Sequence, residues 1–145
     1  MGELLACGGP PPRPPARAPL PRARPRRAAP PPRDRTVTAW LSLARADDLR
    51  VITSAATLVE VIHPRINRPA LEWTLSRLVI EPVTDTIARH AATLLCDAGL
   101  HGHEYAIDAM LAATALAAPS PTIVLTSDPE DLTALCGTRI TVIKI

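Results

Sequence analysis

Residues 104–126 read EYAIDAMLAATALAAPSPTIVLT, and this stretch decides the fold class. Glu104 to Ala118 contains no Gly or Pro and is rich in small residues, chiefly Ala, so it predicts a long helix. Pro119 ends it. Thr122 to Thr126 then forms a short continuous run of apolar and β-branched residues, the type of strand that is buried on both faces. A helix that leads directly into such a strand belongs to a βα arrangement. One charge interrupts the helix. Asp108 stands between Ala106-Ile107 and the apolar run from Ala109 to Ala113. A carboxylate there is costly without a partner, which makes Asp108 the first candidate functional residue.

The same alternation extends in both directions. Downstream, Ser127 to Asp131 opens a short helix to Leu135, and Arg139 to Ile145 forms a last strand. Upstream, Thr84 is a good N-cap for a helix through Ala98, with Ile87, Ala91, Leu94, Leu95 and Ala98 as its apolar stripe and Gly99 as its stop. Leu78 to Val83 reads as a strand and Arg68 to Arg77 as a short helix with Pro69 in its first turn. Arg50 to Ser54 reads as a β-branched strand followed by a helix from Ala55 to Ile62, and Thr36 to Ala46 as an earlier helix. Strands alternating with helices predict an α/β fold with a parallel sheet covered on both faces.

Composition divides the chain near residue 33. Of the first 33 residues, 27 are Pro, Arg, Ala or Gly, and seven Arg against Glu3 give a formal charge of +6. Too few apolar groups are present to offset the entropy of ordering, so 1–33 is expected to be a disordered leader and 34–145 the folded domain. Gly, Ala, Pro and Arg are also the four residues that codons of G and C alone specify. The leader therefore has the composition of GC-rich DNA read in another frame. The body carries a formal charge of −4, so the overall +2 is no nucleic-acid footprint. No apolar run reaches the length of a membrane span, and Gly2 to Gly9 lacks the features of a secretory signal. Cys7, Cys96 and Cys136 form neither a zinc pattern nor a disulfide framework, so a cytoplasmic location is expected.

In right-handed βα units, the carboxyl edge of the sheet collects strand C-termini and helix N-termini, and ligands bind there. Three acids map onto that edge: Glu60 in the helix after strand 50–54, Asp108 in the second turn of helix 104–118, and Asp128 two residues after strand 122–126. Carboxylates that converge from separate segments repel one another unless a cation lies between them, and hard oxygen ligands suit Mg²⁺ or Mn²⁺. Each acid also has a plain structural role open to it. Asp128 can cap the helix begun by Pro129, and Glu60 can be a solvated helical carboxylate. His101 and His103 precede the Asp108 helix as a loop pair that is either incidental or able to orient a phosphate or bind a soft metal, whereas His63 and His90 stand alone.

The stretches Thr57 to Val61, Ala106 to Ala113 and Val124 to Leu132, in this order and spacing, resemble successive motifs of the PIN-domain nucleases, most closely the small VapC-like bacterial ones. The resemblance covers roughly residues 36 to 145. It implies a three-layer α/β/α sandwich around a central parallel sheet, and a metal-dependent endoribonuclease that cleaves RNA phosphodiester bonds. It also implies the toxin role of a toxin–antitoxin pair, with RNA as substrate, a cognate antitoxin as partner and a possible homodimer. On that basis Glu60, Asp108 and Asp128 would be the catalytic acids and the ligands of Mg²⁺ or Mn²⁺, with a metal-activated water attacking in line. The family's first strand, central in the sheet and ending in an Asp, has no counterpart here. Asp34 follows Pro30-Pro31-Pro32, and Leu4-Leu5-Ala6 is short and lacks an Asp. The first central strand is therefore expected to be lost or replaced, and the alternative reading is a non-catalytic PIN-like fold that binds RNA or a protein.

Overall fold

The structure, a computed structural model, describes residues 4–7 and 32–145. The chain is a mixed α/β protein. It runs through β1 (Leu4–Cys7), α1 (Pro32–Ala46), β2 (Arg50–Ser54), α2 (Leu58–Val61), α3 (Arg68–Leu75) and β3 (Val79–Glu81). It continues through α4 (Asp85–Ala98), α5 (Gly102–Ala117), β4 (Thr122–Thr126), α6 (Pro129–Cys136) and β5 (Thr141–Lys144). No described helix is long and apolar enough to cross a membrane.

The strands are ordered β3-β2-β1-β4-β5. β2 pairs with β3, and β4 with β5, in parallel as the alternation of elements requires. The pairing between them departs from the expectation. β1 lies between β2 and β4 and runs antiparallel to both, with Leu5 opposite Ile52 and Val124, and Cys7 opposite Arg50 and Thr122. The sheet is therefore not parallel throughout, and the central place is filled by Leu4–Cys7, which contains the Leu4-Leu5-Ala6 stretch that looked too short to fill it. The reason lies in the neighbours: β2 and β4 are buried along nearly their whole length, so the N–H and C=O groups on their inner edges must find ladder partners. An unstructured leader therefore does not extend through residues 4–7, and the rest of that expectation, from 8 to 31, lies outside the described residues.

Alternate residues of β2 and β4 enter different apolar clusters. Ile52 and Val124 join the largest, with Ala91 and Leu94 of α4, Ala109, Leu111, Ala112, Ala113 and Ala115 of α5, and Leu132 and Leu135 of α6. Ile123 and Leu125 instead pack with Val37 and Trp40 of α1, and Val51 packs with Leu41 and Ala44. The period of two along each strand makes this division. Small residues on α5 allow close approach: Ala109, Ala112 and Ala113 are fully buried, beside the larger, equally buried Leu111.

Helix ends follow the local chemistry. Thr84 accepts from Ile87 N–H at 3.3 Å as the N-cap of α4, and Gly99 closes that helix in the left-handed region at φ +65°. The helix expected over Ala55 to Ile62 is instead a 3₁₀ turn at Ala55–Thr57 followed by the single turn of α2. α5 begins two residues early, with non-helical angles at Tyr105 marking a kink between its first turn and the helix proper.

Candidate functional site

The ends of β2 and β4 set the frame. Ser54 closes β2 fully buried, and its Oγ accepts from Ala56 N–H at 3.3 Å. Thr57 Oγ1 donates to Ser54 C=O at 2.7 Å and lies 2.9 Å from Thr53 Oγ1. These bonds tighten the turn into 3₁₀ geometry before α2 starts. Thr126, fully buried at the end of β4, accepts the Asp128 N–H at 2.9 Å, which fixes the backbone of the turn that carries the acid. α5 packs on β2 and on the 3₁₀ turn.

The three sequence-derived acids reach this region by different routes. Asp108 is half-buried just past the kink in α5, directly before fully buried Ala109. Asp128 sits at the N-cap position of α6 but is exposed, and its side chain makes no capping bond. Glu60 is exposed, beside Val59, which is 76% exposed. This exposure agrees with the plain role of Glu60 as a solvated carboxylate. α2 has only one turn, too short to hold one face toward the core.

The expected convergence is not what the structure presents. Among the described residues, no three His, Cys, Asp or Glu side chains stand close enough to share a metal ion. The donor chemistry of Glu60, Asp108 and Asp128 would suit a hard divalent cation, but two exposed acids and one half-buried acid that do not gather do not fit one. No catalytic step through such an ion follows from this arrangement.

Asp131 was not singled out by the sequence. Its carboxyl is held above the ordinary Asp value, first by desolvation and then by the neighbouring charges of Asp128 and Glu130. The signal was present in Ser127-Asp-Pro-Glu-Asp131, where three acids crowd the first turn of α6. The histidines give less. His101 and His103 are exposed, and His63 Nδ1 accepts the Arg65 N–H at 3.2 Å within a local turn. Two shallow clefts lie elsewhere. One of about 270 Å³ borders Trp40 on α1, and one of about 200 Å³ lies beside the Arg50–Glu81 ion pair, so neither contains the three acids.

No family model, no curated protein and no solved structure matches this chain.

Proposed function

We propose that the chain is a PIN-like ribonuclease domain of the VapC-like toxin kind, acting on RNA phosphodiester bonds in the cytoplasm and impaired as it stands. The supporting observation is Asp108: a carboxylate half-buried just past the kink of α5, the helix that packs against β2 and the 3₁₀ turn and whose following residues are mostly buried. A half-buried carboxylate within a largely apolar helix is the pattern of a functional residue. Helices packed against both sets of alternating residues on β2 and β4 support the three-layer α/β/α reading of the fold. A cognate antitoxin and a homodimer belong to this reading as partners, and Mg²⁺ or Mn²⁺ as the ion that the repaired site would hold.

The second reading, a non-catalytic PIN-like fold that binds RNA or a protein, is favoured by the exposure of Glu60 and the scattered acids. One experiment separates the two. Residues 1–33 are replaced by an apolar strand ending in Asp, and both forms are incubated with labelled RNA and Mg²⁺. The original chain is expected to cleave little. The repaired chain should cleave, and Asp108→Asn within it should lower the rate by about a hundredfold or more. A repaired chain that binds RNA without cutting would establish the second reading. Equal cleavage by the original chain would show that no further carboxylate is needed.

A further inference from the structure

The two faces of the sheet are covered unequally. Ile52 and Val124 enter a cluster that draws on α4, α5 and α6. Ile123, Leu125 and Val51 enter clusters on the other face, to which α1 alone among the described helices contributes. Five strands span about 19 Å and one helix covers about 10 Å, so α1 leaves part of that face to something else. A cleft of about 270 Å³ follows one flank of α1, lined by Arg35, Thr36, Ala39, Trp40 and Leu43. Their helical spacing sets them together, next to the side on which Val37, Leu41 and Ala44 meet the core. Trp40 belongs to both sides. It is half-buried, packs with Ile123 and Leu125, and borders the cleft.

The course of the chain supplies the occupant. β1 ends at Cys7, opposite Arg50 at the start of β2. The C-terminal end of α1 lies at that same edge, because Leu49 N–H donates to Ala44 C=O at 2.7 Å just before β2 begins. The 15 residues of α1 put its first turn about 22 Å away. Residues 8–31 therefore lead from the end of α1 back to its beginning. The middle of this connection is Pro19-Leu20, and the middle of α1 is Ala39, which lines the cleft. Leu20 is also the one large apolar side chain between residues 8 and 31, and it stands between two prolines. We propose that Pro19-Leu20-Pro21 docks in this cleft, with Leu20 and a Pro ring against Trp40. Pro-rich segments suit aromatic-lined grooves because they lose little entropy on docking. β1 and α1 already hold both ends of the loop, so a weak contact suffices. This contact does not depend on RNA cleavage.

The test uses the full chain carrying Trp73→Phe, which leaves Trp40 as its only Trp. Arg17, Arg22 and Arg27 are each followed by Ala, so trypsin can cut after all three. Cleavage after Arg17 and Arg22 is expected to be about tenfold slower than after Arg27, which lies outside the docked stretch. Leu20→Ser should remove that difference, shift Trp40 emission to the red and increase its quenching by acrylamide, with circular dichroism unchanged. Ala39→Gln should do the same from the other side of the contact. It sets a longer polar side chain into the cleft, and Gln suits a helix. Equal cleavage at the three sites before substitution, or cleavage and emission indifferent to both substitutions, would overturn the proposal. Protection that appears only as the chain is concentrated from about 1 to about 200 µM would overturn it in favour of an occupant from another molecule.

Discussion

Asp108 and Glu60 show what one position can reveal before its surroundings are known. Asp108 was legible because a charge inside Ala-Ile and Ala-Met-Leu-Ala-Ala is anomalous in any helical register, and the structure half-buries it. Glu60 also stands among Leu58, Val59, Val61 and Ile62, but there the structure shows a 3₁₀ turn and one turn of helix, with Glu60 exposed. Asp131 carries a consequence for pH. A carboxyl whose folded pKa lies above its unfolded value binds its proton more tightly when folded, so stability falls as pH rises through that folded pKa. Desolvation, then the charges of Asp128 and Glu130, disfavour its charged form, against a helix N-terminus that favours it. Asp131→Asn should therefore raise Tm at pH 7 by about 1–3 °C, and the gain should fade as pH falls into the carboxylate range. An unchanged or lowered Tm at pH 7 would show that the helix end prevails. Leu111, fully buried at the centre of α5, sets the opposite extreme. Leu111→Ala should cost about 2–5 kcal/mol in urea unfolding.

Among the elements, α4 was readable from its ends and its stripe. Thr84 and Gly99 mark its limits, and the buried Ala91 and Leu94 lie on the stripe that the spacing defined. These signals are local, so sequence alone carries them. α2 was misjudged because Ala55 to Ile62 has helical spacing in either geometry, and only the Ser54 and Thr57 hydroxyl bonds select the 3₁₀ turn. The strand expected at Leu78 to Val83 shrinks to three residues because only Val79 to Glu81 meet partners on β2. Gly99 gives a clean test of a helix end. It sits at φ +65°, and a Cβ placed there would meet nothing within 4 Å, so substitution adds backbone strain and no clash. Gly99→Ala should lower stability by about 1 kcal/mol. Thr84→Ala, which removes the N-cap acceptor, should lower it by a similar ~1 kcal/mol. The caps lie at opposite ends of one helix with no shared partner, so the two losses should add in thermal or urea melts.

The domain as a whole rests on its least conspicuous strand. Composition places Leu4 to Cys7 within a Pro- and Arg-rich stretch, and four residues are too few to carry a periodic signal. What makes them a strand is non-local: the inner edges of β2 and β4, more than 40 and more than 110 residues further on, both lack a partner without them. Among the described elements, α5 also links the two pairs, contacting both β2 and β4. β1 supplies two ladders at once, and its loss should cost more than its length implies. Removing residues 1–7 would leave two apolar strand edges open, a template for pairing with other chains. Leu5→Pro makes the finer test, because it deletes one N–H and strains the chain in the middle of a sheet, where Pro is scarcely tolerated. Leu5→Pro is expected to destabilise the domain by about 3 kcal/mol or more in urea unfolding. It should also accelerate exchange at the backbone amides of β2 and β4 on both sides of the gap. Arg13→Ala, which alters the composition of the same stretch but lies outside β1, should leave both measurements unchanged. If Leu5→Pro behaves like Arg13→Ala, the two parallel pairs are held together by their helices alone, and the antiparallel strand contributes nothing to the fold.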